Sequence, residues 1–184
     1  RVASGNIAAD GSLVLKLYYD REIYNIDFID HDDSVIKSET VRYMGSATAP
    51  TQPEREGYTF TGWDRDFENI TGNLSVKAVY SINQYTITFD SAGGSAVAEI
   101  TDDYGATITA PSAPTRDGYT FDGWDPELPE TMPAGDLQLT AQWTANEYSI
   151  TYNLDNGTNH EDNPTNYTIE TETITLKAAT KTGY

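Results

Sequence analysis

Apolar and polar residues alternate with period two in three short stretches: Tyr24-Asn25-Ile26-Asp27-Phe28, Tyr85-Thr86-Ile87-Thr88-Phe89 and Tyr148-Ser149-Ile150-Thr151-Tyr152. Such alternation predicts β-strands with one buried and one wet face. A second set, Leu13–Tyr19, Leu74–Tyr80 and Leu137–Trp143, predicts a closing strand that follows the same rule. The aromatic ending each closing strand stands five positions before the next opening tyrosine: Tyr19 and Tyr24, Tyr80 and Tyr85, Trp143 and Tyr148. That constant spacing predicts four-residue connections such as Ser81-Ile82-Asn83-Gln84, too short to be flexible tethers.

The chain repeats itself. Gly57-Tyr58-Thr59-Phe60-Thr61-Gly62-Trp63-Asp64 returns 61 residues later as Gly118-Tyr119-Thr120-Phe121-Asp122-Gly123-Trp124-Asp125, and Thr182-Gly183-Tyr184 begins it a third time. Repeats of this period mark an array of small units. The chain divides accordingly into the tail strand of a preceding unit (1–22), two complete units (23–81 and 82–145) and the front part of a further one (146–184). Head and front together make one repeat, so the head of one molecule is expected to be able to complete the broken unit of another.

Within residues 82–145 the opening strand runs into Asp90-Ser91-Ala92-Gly93-Gly94-Ser95, where Gly-Gly suits a hairpin turn, and a return strand is expected near Ala96–Thr101. Pro111, Pro114 and Gly118 make the next stretch an extended crossing loop. Tyr119 and Phe121 share one face, and Gly123 is expected to let the backbone pass close to the Trp124 indole. Asp125-Pro126 suits the start of a short helical turn, which Pro129 and Pro133 keep from growing. The residues thus predict a mostly β chain of tandem small repeats, each with four to five strands and at most one short helix.

Charge narrows the partners. The 184 residues include 11 Lys and Arg against 29 Asp and Glu, a net charge of −18. Such a surface repels nucleic-acid backbones and anionic membranes. The absence of Cys removes disulfides and thiolate chemistry, and the two histidines, His31 and His160, stand too far apart for a His-rich metal site. No apolar run is long enough for a membrane span in this segment. Despite the charge, aromatic residues make up 11% of the chain, which speaks against disorder.

Units of about 60 residues are marginal on area grounds, and the large rings are the expected remedy. Tyr58, Phe60, Trp63, Tyr119, Phe121, Trp124 and Trp143 are therefore read as the structural core motif.

The set Tyr85–Gly94, Tyr104-Gly105, Ala110-Pro111, Pro114–Trp124 and Leu137–Trp143 resembles the Listeria–Bacteroides repeat, a family related to internalin-type B-repeats. The head, Gly5–Arg21, looks like the end of a related mucin-binding-protein-like repeat. The resemblance implies a β-grasp-like fold and an extracellular place on a bacterial cell surface or cell wall, in an array between an adhesive region and an anchor. In that fold the first and last strands lie side by side and parallel, which makes Tyr85–Phe89 against Leu137–Trp143 a clamp. The family brings no catalytic residues. The first repeat departs from it at Asp30-His31-Asp32-Asp33, which replaces Ser-Ala-Gly-Gly, and at Tyr80, which replaces Trp. Its hairpin turn therefore lacks the glycine support.

The leading expectation is a non-catalytic stalk or spacer that projects an adhesive region and bears tension, with neighbouring repeats as its partners. The alternative is a binding module for host glycans or extracellular matrix proteins. No catalytic, cofactor or metal residues are assigned. Acidic clusters at Asp30/Asp32/Asp33, Asp102/Asp103 and Glu161/Asp162 match no EF-hand loop and are expected to be solvated faces. Among 29 acids, chance carboxylate pairs are expected and do not make a glycosidase. Asn69, Asn73, Asn156 and Asn166 begin Asn-x-Ser/Thr triplets, which in a bacterial chain of this composition are read as coincidence; Asn156-Gly157 is read as a tight turn.

Overall fold

The computed structural model describes residues 9–10 and 18–183. The head strand expected at 13–19 lies outside the described residues except for Tyr18 and Tyr19, which are exposed. The chain divides at Ser81/Ile82 into two compact bodies.

In the first body, β1 (Ile23–Ile29), β2 (Val35–Arg42), β3 (Tyr58–Trp63) and β4 (Leu74–Ile82) form a sheet of order β2-β1-β4-β3. In the second, β5 (Gln84–Asp90), β6 (Ile100–Asp103), β7 (Tyr119–Asp125) and β8 (Leu137–Ala145) form a sheet of order β6-β5-β8-β7. A short antiparallel ribbon, β9 (Tyr148–Ser149) and β10 (Asn166–Tyr167), follows in the second body. There is no helix among the described residues, so the chain is mostly β with four strands per complete repeat. Only Asn83 separates β4 from β5, because both strands run past their alternating apolar cores.

Alternation decides what each strand buries. Ile26 and Phe28 of β1 and Val76 of β4 are fully buried in the first body, joined by Val41, Ala47 and Ile70. Ile87 of β5, Leu139 of β8 and Met132 are fully buried in the second. The residues between them along each strand face outward, as period two requires.

Two local expectations need correction. The helical turn at Asp125 does not form: Asp125 ends β7 opposite Thr140, and its bond to Pro126 is cis. An aspartate held in a strand ladder is not free to cap a helix. The return strand begins later than expected, at Ile100, because Ser95 is tied to Thr115 instead of to β5 (Ser95 N–H to Thr115 O, 2.8 Å; Thr115 N–H to Ser95 Oγ, 2.9 Å). The turn without glycines is the tighter one. Asp30 donates its N–H to Ser34 O at 2.8 Å and Asp33 takes φ 66°, a conformation that Asp tolerates better than most residues.

A bulge organises the aromatic motif. Phe121 pairs with Trp143 and Gly123 with Gln142, so Asp122 is an extra residue in β7. Three positions apart in a regular strand, Phe121 and Trp124 would point to opposite faces. The extra residue returns them to one face. Gly123 has φ 124° and nothing stands within 4 Å of where a Cβ would lie, so its backbone angle is what calls for glycine, and close approach to the indole is not.

Trp124 meets Phe89 at 4.9 Å and Phe121 at 5.2 Å between ring centroids. Truncating Trp124 to Ala is expected to cost about 3 kcal/mol, the low end for such a change because the ring is half-buried. Chemical denaturation with the Phe121 and Ile87 resonances as probes checks it; an unchanged midpoint refutes it.

Candidate functional site

The feature shared by both repeats is a parallel pairing of opening and closing strands. Ile26, Asp27, Phe28 and Ile29 stand opposite Leu74, Ser75, Val76 and Lys77. Ile87, Thr88, Phe89 and Asp90 stand opposite Leu137, Gln138, Leu139 and Thr140. The strands expected to form the clamp are thus brought together, over a register shorter than the full stretch Tyr85–Phe89 against Leu137–Trp143.

Each clamp carries a side-chain cap that sequence reasoning missed. The Asn25 N–H donates to Asn73 Oδ1 at 2.9 Å, and the Thr86 N–H donates to Asp136 Oδ1 at 2.9 Å. Asn73 and Asp136 both immediately precede the closing strand, so a short acceptor side chain at that place is the available signal. The cap satisfies a backbone donor one residue before the parallel ladder starts.

The seven motif aromatics are all half-buried, outside the fully buried core. Most of them join two equivalent chains of rings. In the first body Phe28, Trp63, Phe60 and Tyr80 touch in sequence, at 4.9, 5.3 and 5.8 Å between centroids. In the second, Phe89, Trp124, Phe121 and Trp143 do the same, at 4.9, 5.2 and 5.4 Å. Arg55 and Arg116 lie over the rings of Tyr58 and Tyr119 at 3.6 and 3.8 Å.

The last ring of each chain latches its polar tip to the turn that follows the opening strand. Tyr80 Oη donates to Asp30 Oδ1 at 2.6 Å. The Trp143 indole N–H donates to Ser91 O at 3.0 Å. Asp30 and Ser91 occupy equivalent positions, so the two departures of the first repeat form one exchange. The exchange extends to the turn: a Cβ on Gly94 would lie 2.5 Å from the Trp143 ring, and the first repeat carries Asp33 at the equivalent sequence position and the smaller Tyr80 in place of Trp143.

Burial, then the hydrogen bond to Asp30 and its charge, push the Tyr80 phenol up to about 12. Burial raises the Asp30 carboxyl, but hydrogen bonds from Tyr80 and His31 outweigh it and hold the group below its ordinary value. A nitrogen of His31 and oxygens of Asp30 and Asp32 lie within 4.8 Å of one another. Asp32 also serves the turn by accepting from Ser34, and the neighbouring Asp33 pairs with Lys77. Asp102 accepts the Asp103 N–H, and Asp162 pairs with Lys177. Asn156 sits in a turn at φ 64°, with the Gly157 N–H donating to Leu154 O. No helix among the described residues is long and apolar enough to cross a membrane.

The family model for the Listeria-Bacteroides repeat domain matches residues 24–79 and 85–142. A protein of Evansella cellulosilytica, whose name goes no further than membrane protein, is 32% identical over 163 residues, covering 79% of this chain and 24% of its own length. Internalin H of Listeria monocytogenes is 38% identical over 121 residues, covering 53% of this chain and 21% of its own. The chain therefore spans about a quarter or less of the curated relatives it matches. Among solved structures, domains 3-4 of the Streptococcal High Identity Repeats in Tandem of a cell surface protein cover 65% of this chain and 96% of theirs, at 22% identity and a TM-score of 0.25.

Two outcomes test the latch. Gly94→Ala is expected to cost about 1–3 kcal/mol by crowding Trp143, and Trp143→Tyr in the same chain to recover part of it; strictly additive denaturation midpoints sink the coupling. The raised Tyr80 pKa stabilises the fold fully below about 10, the unfolded value, and that stability is lost as pH rises towards 12. The lowered Asp30 pKa acts at the other end: its stability is present above the ordinary aspartate value and lost as pH falls through the folded one. Tyr80→Phe is expected to flatten the loss of the first body between pH 10 and 12, followed through the Trp63 indole resonance; an alkaline profile identical to that of the unaltered chain rejects the assignment.

Proposed function

The chain belongs to the Listeria-Bacteroides repeat domain family, and on that basis we propose that it is a non-catalytic tandem-repeat segment of a bacterial cell-surface protein, a stalk that projects an adhesive region and bears tension. The observation that carries the proposal is the parallel pairing of first and last strands in both repeats. Tension applied at the two ends of a repeat pulls β1 and β4, or β5 and β8, along each other. Backbone hydrogen bonds across a parallel ladder are evenly spaced, so such a load falls on several at once instead of unzipping them singly. The Asn73 and Asp136 caps add a further bond at the end of each ladder. The ring chains and latches then tie the closing strand to the turn after the opening strand, beyond the last rung.

Relatives that include an internalin and a protein named for the membrane support a place at the cell envelope. The net charge of −18 suits a hydrated stalk that does not stick to neighbours. In this reading the repeat boundaries are 23–81 and 82–145, with 146–184 opening another repeat, and neighbouring repeats are the partners. The alternative, a binding module for host glycans or matrix proteins, draws on one specific observation: the exposed rings of Tyr148 and Tyr167 stack at 5.4 Å.

Pulling single chains by their ends is expected to show one abrupt rupture per complete repeat, each releasing about 200 Å of chain at roughly 3.6 Å per residue. Asn73→Ala and Asp136→Ala are expected to lower the rupture force of their own repeat. Gradual extension at near-zero force removes the stalk proposal. Saturable binding of the folded chain to a single glycan or matrix protein on an array, lost in a Tyr148→Ala variant, moves the function to the alternative.

A further inference from the structure

The Gly-Tyr-Thr that opens the repeated motif contributes no ring to the chain Phe89–Trp124–Phe121–Trp143, yet its three residues are all occupied. In the second body they receive the segment that follows β8. The Asn146 N–H donates to Gly118 O at 2.8 Å, and Thr120 Oγ1 donates to Asn146 Oδ1 at 2.6 Å. Tyr119 Oη donates to Glu170 Oε1 at 3.0 Å, while Arg116 covers the same ring from 3.8 Å. Ile169 fills the place beside Gly118 so closely that a Cβ there would stand 2.9 Å from the isoleucine Cβ.

The segment that docks brings no buried apolar side chain of its own among the described residues. Among the described residues, the buried apolar side chains end at Ala141, and the buried residue beyond it is a polar one, Asn163. Asn163 is satisfied locally, by Asn159 and by the backbone of Lys177. The β9–β10 ribbon has two residues per strand with both tyrosines exposed, and a two-stranded ribbon is marginal by itself in water. Residues 146–170 thus lack a buried apolar core of their own among the described residues, and Ile169 against Gly118 gives them an apolar seat on the preceding repeat.

We propose that Gly118, Tyr119 and Thr120 form a docking surface for the front of the following repeat, and that this surface couples the stability of one repeat to the next. The partner it fits is defined by chemistry: an asparagine just after the closing strand, which is bonded through both its backbone and its side chain, and an apolar residue followed by a carboxylate. Glycine at 118 is required by the seated isoleucine as well as by its own φ of 80°. Repeats coupled only through such nearest-neighbour surfaces behave as a one-dimensional array, in which each interface adds to the stability of its neighbours. The inference concerns assembly of the array and holds whether the array is a stalk or a binding module.

Amide hydrogen exchange on the full chain tests it. Ile169→Ala combined with Asn146→Ala, and separately the milder Tyr119→Phe, alter contacts of this surface without touching the buried core. Exchange at Ile150, whose N–H donates to Thr165 O, and at Tyr148 and Tyr167 is expected to speed up about tenfold in the double variant and less in Tyr119→Phe. Exchange at Ile87 and Leu139 is expected to stay as it was. Unchanged exchange across 148–170 overturns the proposal. So does equal acceleration at Ile87 and Leu139, which would make the contacts part of one common core and not a docking surface.

Discussion

The parallel register of opening strand against closing strand is the constraint on which the rest of each body depends. Strands in parallel cannot be joined by a hairpin, so the chain between them has to cross over. Here it does so without a helix among the described residues. The crossing is pinned instead by reciprocal backbone bonds, Met44 N–H to Ile70 O and Ile70 N–H to Gly45 O in the first repeat. The second repeat has the equivalent pair, Gly105 N–H to Met132 O and Met132 N–H to Ala106 O. The side chains at these pins, Ile70 and Met132, are buried against the sheet. The covering that a helix provides in other crossovers comes here from apolar side chains of the crossing segments: Ala47, Phe67 and Ile70 in the first body, and Ile108, Leu128 and Met132 in the second.

With so little cover, rings do the work of area. Fully buried side chains are few: Ile26, Phe28 and Val76 in one body, Ile87, Leu139 and Met132 in the other. Half-buried aromatics extend each core along the sheet, edge to face, a geometry that adds stability beyond the area covered. The bulge at Asp122 makes this possible by turning two rings to one side. The end of the ring chain is where the two repeats diverge, and they diverge in step. A large indole needs a glycine beneath it and finds a carbonyl to donate to. The phenol of the first repeat donates to a carboxylate instead. The second solution brings titratable groups into the turn, and the first does not.

Legibility in the sequence followed locality. The strands around Ile26, Ile87, Val76 and Leu139 were readable because period-two alternation is a property of the strand itself. The tight spacing between closing and opening strands was readable too, although the linker proved shorter than the apolar pattern alone implied. The rings of the motif stood out by repetition, but their degree of burial did not. Gly123 stood out by position, and only its φ and the register of β7 against β8 separated a backbone requirement from close packing. The caps at Asn73 and Asp136 were hidden because one short polar side chain per repeat has no periodicity to reveal it.

The sequence by itself determined the mostly β class, the repeat and which strand residues face inward, since all of these follow from backbone geometry and from comparing the chain with itself. Tertiary structure alone decided that Asp125 extends a strand instead of capping a helix, that β6 begins at Ile100, and that the Gly-Tyr-Thr end of the motif receives the next segment. Those outcomes depend on partners 15 to 51 residues away in the chain, such as Thr140, Thr115 and Ile169. A hydrogen bond or a close contact with a distant residue overrides local preference whenever it satisfies a group that the local conformation would leave unpaired, and no window along the sequence contains both partners.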